Sequence, residues 1–356
     1  MSAAPSRIVI AAGGTAGHVV PALAVAEALR AEGAQVSFVG GERAEAQLVP
    51  AAGFPLERLR VEGLHRSNPL RALRAILLAA VALPRARRIL SRLKPDAVMG
   101  GGGYVAGPVG VAALTLRIPL VLSEADSHLG LTNRLLARFA RRVCLALPIP
   151  GRAGRRYRVT GRPVPPAQED RAAARARLGI EMGETCVLIF GGSLGARSIN
   201  RAAVEALAGA PFHILHVCGR RDHAELAARD LPPGYDLREY LDLAAFADAL
   251  AAADLVVARA GGSIFEIAAN GLPAVLVPYP HAAGDHQSAN ARWMESAGAA
   301  VTIADDELDG RLLGRVVAGL LADRSRLAAM ASASASLARP DAAREIAGEL
   351  LQAAGS

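Results

Sequence analysis

The stretch "IVIAAGGTAGHVVPALAVAEAL", beginning at Ile8, sets an apolar run, a glycine hinge and one histidine ahead of a helical pattern. Three more glycine loops occur later, in "MGGGGYVAGP", "CVLIFGGSLGARSIN" and "ARAGGSIFEIAANGLP". A helix N-terminus offers unpaired N–H groups and a partial positive charge. Glycine lets the main chain approach an anion closely. At the carboxyl end of a buried parallel strand, such a turn is a phosphate or nucleotide site. Tight turning alone could explain one loop; four in one chain favour ligand binding. His18 adds an imidazole, the side chain best suited to take a proton near neutral pH.

The commoner phosphate motifs are missing. No GxxxxGK[ST] occurs, which excludes a P-loop NTPase, and no strict GxGxxG supports a dinucleotide. No Asp-x-Asp is present to clamp a metal–diphosphate. A departing nucleoside diphosphate would then be stabilised by helix N-termini and backbone donors in place of Mg²⁺, each worth roughly 3–4 kcal/mol when aimed at developing charge. No metal or other cofactor is expected. In "GGSIFEIAANGLPAVLVP" a short helix starts near Ser263 and ends at Gly271, before Pro273. Glu266, in its first turn or so, either complements the helix dipole or accepts two ribose hydroxyls. Downstream of "AVLVPYP", His281, Asp285, His286, Gln287 and Asn290 form either a sugar-reading loop or a solvated turn.

The elements that must position these groups read as Val/Ile/Leu runs alternating with helical stretches. Strands are expected at 7–12, 35–39, 97–100, 119–122, 142–146 and 157–160, then at 185–190, 213–218, 236–239, 254–258 and 274–278. Continuous apolar runs imply strands buried on both faces, and strand–helix–strand order implies parallel sheets. With 356 residues the chain accommodates two doubly wound α/β domains. The join falls near "VTGRPVPPAQED". This predicts a domain over 1–163, a second over 164–339, and a terminal helix over 340–356 that packs back on the first.

Bulk composition narrows the class. Aromatics make up 4%, too few for a surface that stacks single-stranded nucleic acid, and no nucleic-acid partner is expected. The net charge is +7, and of 40 basic residues only Lys94 is lysine. That reflects either a codon bias or affinity for anions. Cys144, Cys186 and Cys218 are odd in number and form no CxxC pair, which fits a reducing, cytoplasmic setting. The N-terminus does not read as a signal peptide. The uncharged segment "VMGGGGYVAGPVGVAALTL" has six glycines and a proline, and reads as strand, loop and buried helix rather than a membrane span.

Taken together, "GGTAGHVVPALAVAEAL", "GGGYVAGPVGVAA", "GLTNRLLARFA", "GGSLGARSIN" and "EIAANGLPAVLVPYPHA" with "DHQSANA" make the chain resemble the MurG family over essentially its whole length. These are the family-28 N-acetylglucosaminyltransferases of peptidoglycan synthesis. The resemblance implies a GT-B fold, two Rossmann-like domains separated by a cleft. It implies UDP-N-acetylglucosamine as donor, lipid I (undecaprenyl-diphospho-N-acetylmuramoyl-pentapeptide) as acceptor, inversion at the anomeric carbon and lipid II as product. Carried over residue by residue, Ser193 would touch the diphosphate and Leu241 would hold uracil through its backbone. Gly261, Gly262, Ser263, Ile264, Phe265 and Glu266 would wrap phosphate and ribose, and Gln287 would read the hexosamine. Thr15, Ala16 and Gly17 would border the donor sugar and acceptor. A UDP-N-acetylglucosamine 2-epimerase, or another lipid glycosyltransferase, would share the architecture.

The chain departs from the family at several positions. "SEAD" (Ser123–Asp126) stands where the family has His-Glu-Gln-Asn, so Asp126 keeps an acceptor for a sugar hydroxyl but loses an amide donor. Leu194 replaces a glutamine, and Pro165 an arginine, with Arg162 three residues earlier as a possible replacement. His18 is the candidate base for the attacking hydroxyl, or else a ligand of the acceptor diphosphate. A helix N-terminus would lower its pKa and keep it neutral. Pro21 is expected in the first turn of the helix that follows His18. Asp126 and Glu124 are reserve bases. Residues 68–94 mix apolar side chains with Arg71, Arg74, Arg85, Arg87, Arg88, Arg92 and Lys94. They read as an interfacial helix pair for an anionic membrane, at the cytoplasmic face, or as an ordinary helix packed on the sheet.

Overall fold

A computed structural model of the chain describes residues 4–61, 69–192 and 194–355. It divides into two compact units: Met1–Pro165 with Arg339–Ser356, and Pro166–Ala338.

Unit 1 runs β1 (Arg7–Ala11), α1 (Ala16–Ala31), β2 (Gln35–Gly40), α2 (Glu45–Ala51), β3 (Leu56–Arg58), α3 (Pro69–Leu93), β4 (Ala97–Gly100), α4 (Ala106–Thr115), β5 (Leu120–Glu124), α5 (Leu131–Leu136), β6 (Arg142–Leu145) and β7 (Tyr157–Val159). Unit 2 runs α6 (Arg171–Leu178), β8 (Cys186–Phe190), α7 (Arg197–Leu207), β9 (His213–Val217), α8 (His223–Ala227), β10 (Tyr235–Arg238), α9 (Leu243–Ala252), β11 (Leu255–Ala258), α10 (Ile264–Ala269), β12 (Ala274–Leu276), α11 (His286–Ser296), β13 (Ala300–Thr302), α12 (Gly310–Ala322) and α13 (Arg324–Ser336). The last helix, α14 (Ala342–Ala354), belongs to unit 1.

Each unit is one all-parallel sheet. Unit 1 has the order β3-β2-β1-β4-β5-β6-β7 and unit 2 the order β10-β9-β8-β11-β12-β13. Their central strands are fully buried, with Ile8 and Ile10 facing one layer of core and Val9 and Ala11 the other. That two-sided burial is why the apolar runs are unbroken. β3 and β13 lie at sheet edges and are only partly buried, so neither has an apolar run long enough to read. In both sheets the order reverses beside the first strand of the unit, between β1 and β4 and between β8 and β11. Ligands of doubly wound folds bind at such a switch point, outside the strands' carboxyl ends.

Two sequence-based expectations change in unit 1. Residues 69–93 form one continuous helix, α3, through Pro84, rather than a helix pair. Its described second half buries Ala82, Ala86, Ile89 and Leu90 in the core and exposes Arg85, Arg87, Arg88 and Arg92. Pro21 is also not in the first turn. α1 begins at Ala16, so Pro21 falls inside the helix. A proline has no N–H to give the carbonyl four residues back. That carbonyl is Gly17's, and Arg162 Nη2 donates to it at 2.7 Å.

α14 returns Ile346, Ala347, Leu350 and Ala353 to the unit 1 core beside α1. Its buried Glu349 accepts from Arg142 Nε at 2.5 Å and Arg158 Nη1 at 2.8 Å. Burial alone would raise this carboxyl's pKa; the two guanidinium groups hold it below the usual range.

Candidate active site

The four glycine loops occupy the two switch points in pairs. In unit 1 the loop after β1 (residues 12–15) meets the loop after β4 (101–104). Their approach leaves no room for side chains: a Cβ on Gly103, at φ +75°, would sit 2.0 Å from the Gly13 carbonyl oxygen. In unit 2 the loop after β8 (191–196) lies beside the loop after β11 (259–263). The β8 loop also closes on the end of β9, where a Cβ on Gly195 would fall 1.8 Å from the Cys218 carbonyl oxygen.

In unit 2, α6, α9, α12 and α13 are capped by the carboxylates of Asp170, Asp242, Asp309 and Asp323. α7 and α10 follow the glycine loops and start at Ala196 and Ser263 with no side-chain cap bond. In unit 1, α1 likewise starts at Thr15 without one. α8 and α11 are uncapped as well, and in α10 the Ile264 and Phe265 amides donate back to the Gly261 and Gly262 carbonyls at 3.3 Å.

His18 lies in the first turn of α1, half-buried, with Nδ1 3.5 Å from Thr15 Oγ1. Its ring packs on the β4 loop, where a Cβ on Gly102 would lie 2.7 Å from its Cδ2. Burial lowers its pKa below the ordinary imidazole value; Asp126 pulls it back up, and Arg162 pushes it down. Arg162 also joins the two loops concerned, donating to Gly17 O at 2.7 Å and to Ala125 O at 3.0 Å. Thr15, Ala16 and Gly17 are exposed around the imidazole.

Glu124, named above as a reserve base, is engaged in the loop after β5. Its carboxylate accepts from the Asp126 amide at 3.2 Å, the Gly130 amide at 2.8 Å and Asn133 Nδ2 at 3.0 Å. Both oxygens are spent on shaping the loop after β5, which carries Asp126. Burial raises its pKa while the Gly130 and Asn133 bonds lower it.

In unit 2, Ser193 lies outside the described residues, and its neighbour Leu194 is 68% exposed. Gly261, Gly262 and Ser263 are half-exposed, as is Glu266 in the first turn of α10. Ile264 and Phe265 are buried, with Phe265's ring 5.4 Å from that of Trp293. Only their main chain can meet a ligand. Gln287 accepts from the Tyr279 amide at 2.9 Å, and its Nε2 lies over Gly261. Leu241 is buried in the turn between β10 and α9. Buried Asn290 ties α11 to the glycine loop through Ala260 O at 2.9 Å.

Several supporting groups escaped the sequence. Arg259 precedes the Gly261 loop and donates to Asp305 at 2.6 Å and Ser198 at 2.9 Å. Asn200 and the fully buried His216 lie beneath the Gly195 loop, with His216 Nε2 3.0 Å from Asn200 Oδ1 and its Nδ1 2.8 Å from the Tyr235 hydroxyl. Burial lowers His216 to about 4. Glu45 sits under the unit 1 loops. Asn200, His216 and Glu45 lie in helices or strands and Arg259 just after one, so only the fold shows what they face. Among the described residues no group of three or more His, Cys, Asp or Glu is placed to hold a metal ion.

Comparison with known proteins completes the picture. The glycosyltransferase family 28 N-terminal domain matches residues 8–145, and the family's C-terminal domain matches residues 186–346. The chain belongs to glycosyltransferase family 28. Family-28 relatives include the UDP-N-acetylglucosamine--N-acetylmuramyl-(pentapeptide) pyrophosphoryl-undecaprenol N-acetylglucosamine transferase of Moorella thermoacetica, 43% identical over 96% of this chain and 97% of that protein. The protein of the same name from Methylococcus capsulatus is also 43% identical, over 98% and 99%. Among solved structures, Acinetobacter baumannii MurG superposes with a TM-score of 0.78 at 32% identity, covering 98% of this chain and all of that one. Both domains of the family-28 architecture, a GT-B fold, are therefore present.

The electrostatics around His18 carry a pH prediction. A base works deprotonated, so activity is full above its pKa and falls as pH drops through it. If His18 is the base, its lowered pKa should place the acid limb of kcat/KM below the ordinary imidazole value. Asp126→Asn removes the group that raises His18 and should move the limb further down. Arg162→Leu removes a group that lowers it and should move the limb up. Rate–pH profiles of the three proteins check the opposite signs.

Proposed function

We propose that this chain transfers N-acetylglucosamine from UDP-N-acetylglucosamine to undecaprenyl-diphospho-N-acetylmuramoyl-pentapeptide, inverting the anomeric carbon and giving lipid II. The carrying observation is the 43% identity over nearly the whole chain to a transferase named for these substrates. That favours transfer over epimerisation, which would share the fold but need no acceptor. Unit 2 holds the donor: the α7 and α10 N-termini face its phosphates and Glu266 its ribose, while Gln287 reads the sugar. Unit 1 supplies His18. The acceptor hydroxyl attacks C1, His18 takes its proton, and the C1–O bond to UDP breaks. Backbone amides stabilise the departing diphosphate without a metal. Aspartate at position 126 accepts from a sugar hydroxyl and raises the basicity of His18.

Purified protein should release UDP from UDP-N-acetylglucosamine only when a short-chain lipid I analogue is present, at a rate EDTA leaves unchanged. Conversion of the donor without acceptor would favour the epimerase reading; loss of activity on chelation would overturn metal independence.

The acceptor also implies a surface at the cytoplasmic face of the membrane. No helix of the described residues is long and apolar enough to cross one. Arg85, Arg87, Arg88, Arg92 and Lys94 are exposed on and just after α3. Val81, Leu135 and Phe139 are exposed at 75%, 58% and 55%, and α4 packs against both α3 and α5. Basic and apolar groups side by side suit anionic headgroups. Binding to anionic vesicles that disappears in neutral ones would support this reading; equal binding to both would oppose it.

A further inference from the structure

Glu45 is the first residue of α2, outside every glycine motif, and its side chain is fully buried. Its Oε2 accepts from the Gly14 amide at 2.9 Å. Its Oε1 accepts from the Gly41 amide at 2.8 Å and from the Tyr104 hydroxyl at 3.1 Å. One carboxylate thus joins the loops that follow β1, β2 and β4. Three of the neighbouring glycines exist to make room for it: a Cβ on Gly13, Gly40 or Gly41 would lie 2.8 Å from the Glu45 side chain.

Two chemical consequences follow. The Gly14 amide, in the loop after β1, is already bonded to a carboxylate. An anion on unit 1 must therefore be met by the α1 N-terminus beyond it. Tyr104 is only half-buried, yet its single proton is committed to Glu45. Burial and the Glu45 charge push its pKa up to about 12, so the phenol stays protonated. What its oxygen shows to a ligand is lone pairs alone.

On the reading that unit 1 receives the acceptor, we propose that Glu45 is a positioning residue for the acceptor. It orients Tyr104 as a hydrogen-bond acceptor for an O–H or N–H group of that substrate, and holds the β1 loop that leads to His18. The residue acts through Tyr104 and Gly14 and does not itself touch substrate.

The test is steady-state kinetics with donor and acceptor varied separately, using Glu45→Gln, Tyr104→Phe and the double variant. A glutamine keeps the shape but turns an NH2 toward a donor it cannot pair with. Each single variant should lower kcat/KM for the acceptor about tenfold, the size of one hydrogen bond to a polar group, and leave donor KM unchanged. The double variant should be no worse than Glu45→Gln, because the two residues act on one contact. Glu45→Asp, which keeps the charge, should recover part of the loss. A merely structural role predicts instead equal losses for donor and acceptor, and additive effects; either of these in a folded protein overturns the proposal. If Glu45→Gln does not fold, Tyr104→Phe decides alone: an unchanged acceptor kcat/KM rejects it. Wild-type protein inactive on the lipid I analogue would instead reject the acceptor reading on which this rests.

Discussion

His18→Ala should lower kcat by about 10²–10⁴-fold, the range for loss of a general base, while the dissociation constant of UDP-N-acetylglucosamine stays unchanged. The expectation follows from position and charge. The imidazole lies in the first turn of α1, where the helix N-terminus, burial and Arg162 all favour its neutral form. It packs on the β4 loop at Gly102, and its Nδ1 lies 3.5 Å from Thr15 Oγ1. Alanine is a good helix former and should leave α1 intact. Turnover measured with saturating acceptor, beside calorimetry of donor binding, separates the roles. Equal losses in turnover and donor affinity would refute the base, and a rise confined to acceptor KM would make His18 a diphosphate ligand.

The largest stability effect is expected far from the chemistry. Arg175→Met should destabilise unit 2 by about 3–5 kcal/mol, the result of leaving several main-chain carbonyls without their donor, lowering Tm by roughly 10 °C or more. Arg175 is 1% exposed. It donates to Ala252 O at 2.9 Å, Glu181 O at 2.6 Å, Glu184 O at 2.7 Å and Asp254 Oδ2 at 2.9 Å. Asp254 in turn accepts the Cys186 amide at 2.8 Å. One guanidinium therefore closes the C-terminus of α9 and the turn into β8. Methionine would fill the space of the stem and leave these carbonyls without their donor, while Asp254 keeps Arg171 and the Cys186 amide. All of this lies at the opposite end of β8 from the glycine loop. The folded variant should therefore keep its kcat and both KM values, which thermal melts paired with initial rates can check. An unchanged Tm would show that water or a rearranged loop satisfies the same groups.

Much of the site was legible because its devices are local. A glycine pair after an apolar run means a strand end, a close backbone approach and a helix start. The four loops, and His18 beside the first, could be read in this way. Where the sequence misled, non-local partners were the reason. Pro21 suggested a helix start because nothing in the chain reveals that Arg162, far along it, would take the carbonyl Pro21 leaves free. Glu124 reads as a spare base in a sequence that does not show Gly130 and Asn133 facing it. Ile264 and Phe265 fell inside a binding motif, but burial turns their side chains into the core.

The amino-acid sequence by itself determined the class of the protein: buried parallel strands, paired nucleotide-type folds, anion-binding loops and a histidine among them. Those properties rest on interactions within a few residues, where spacing and residue type suffice. Only the tertiary structure decided which loops pair at each switch point, which carboxylates organise them, and that Glu45, Arg175 and Arg259 hold the frame. A buried charge acquires its meaning from partners that chain folding brings to it, and linear spacing carries no record of them.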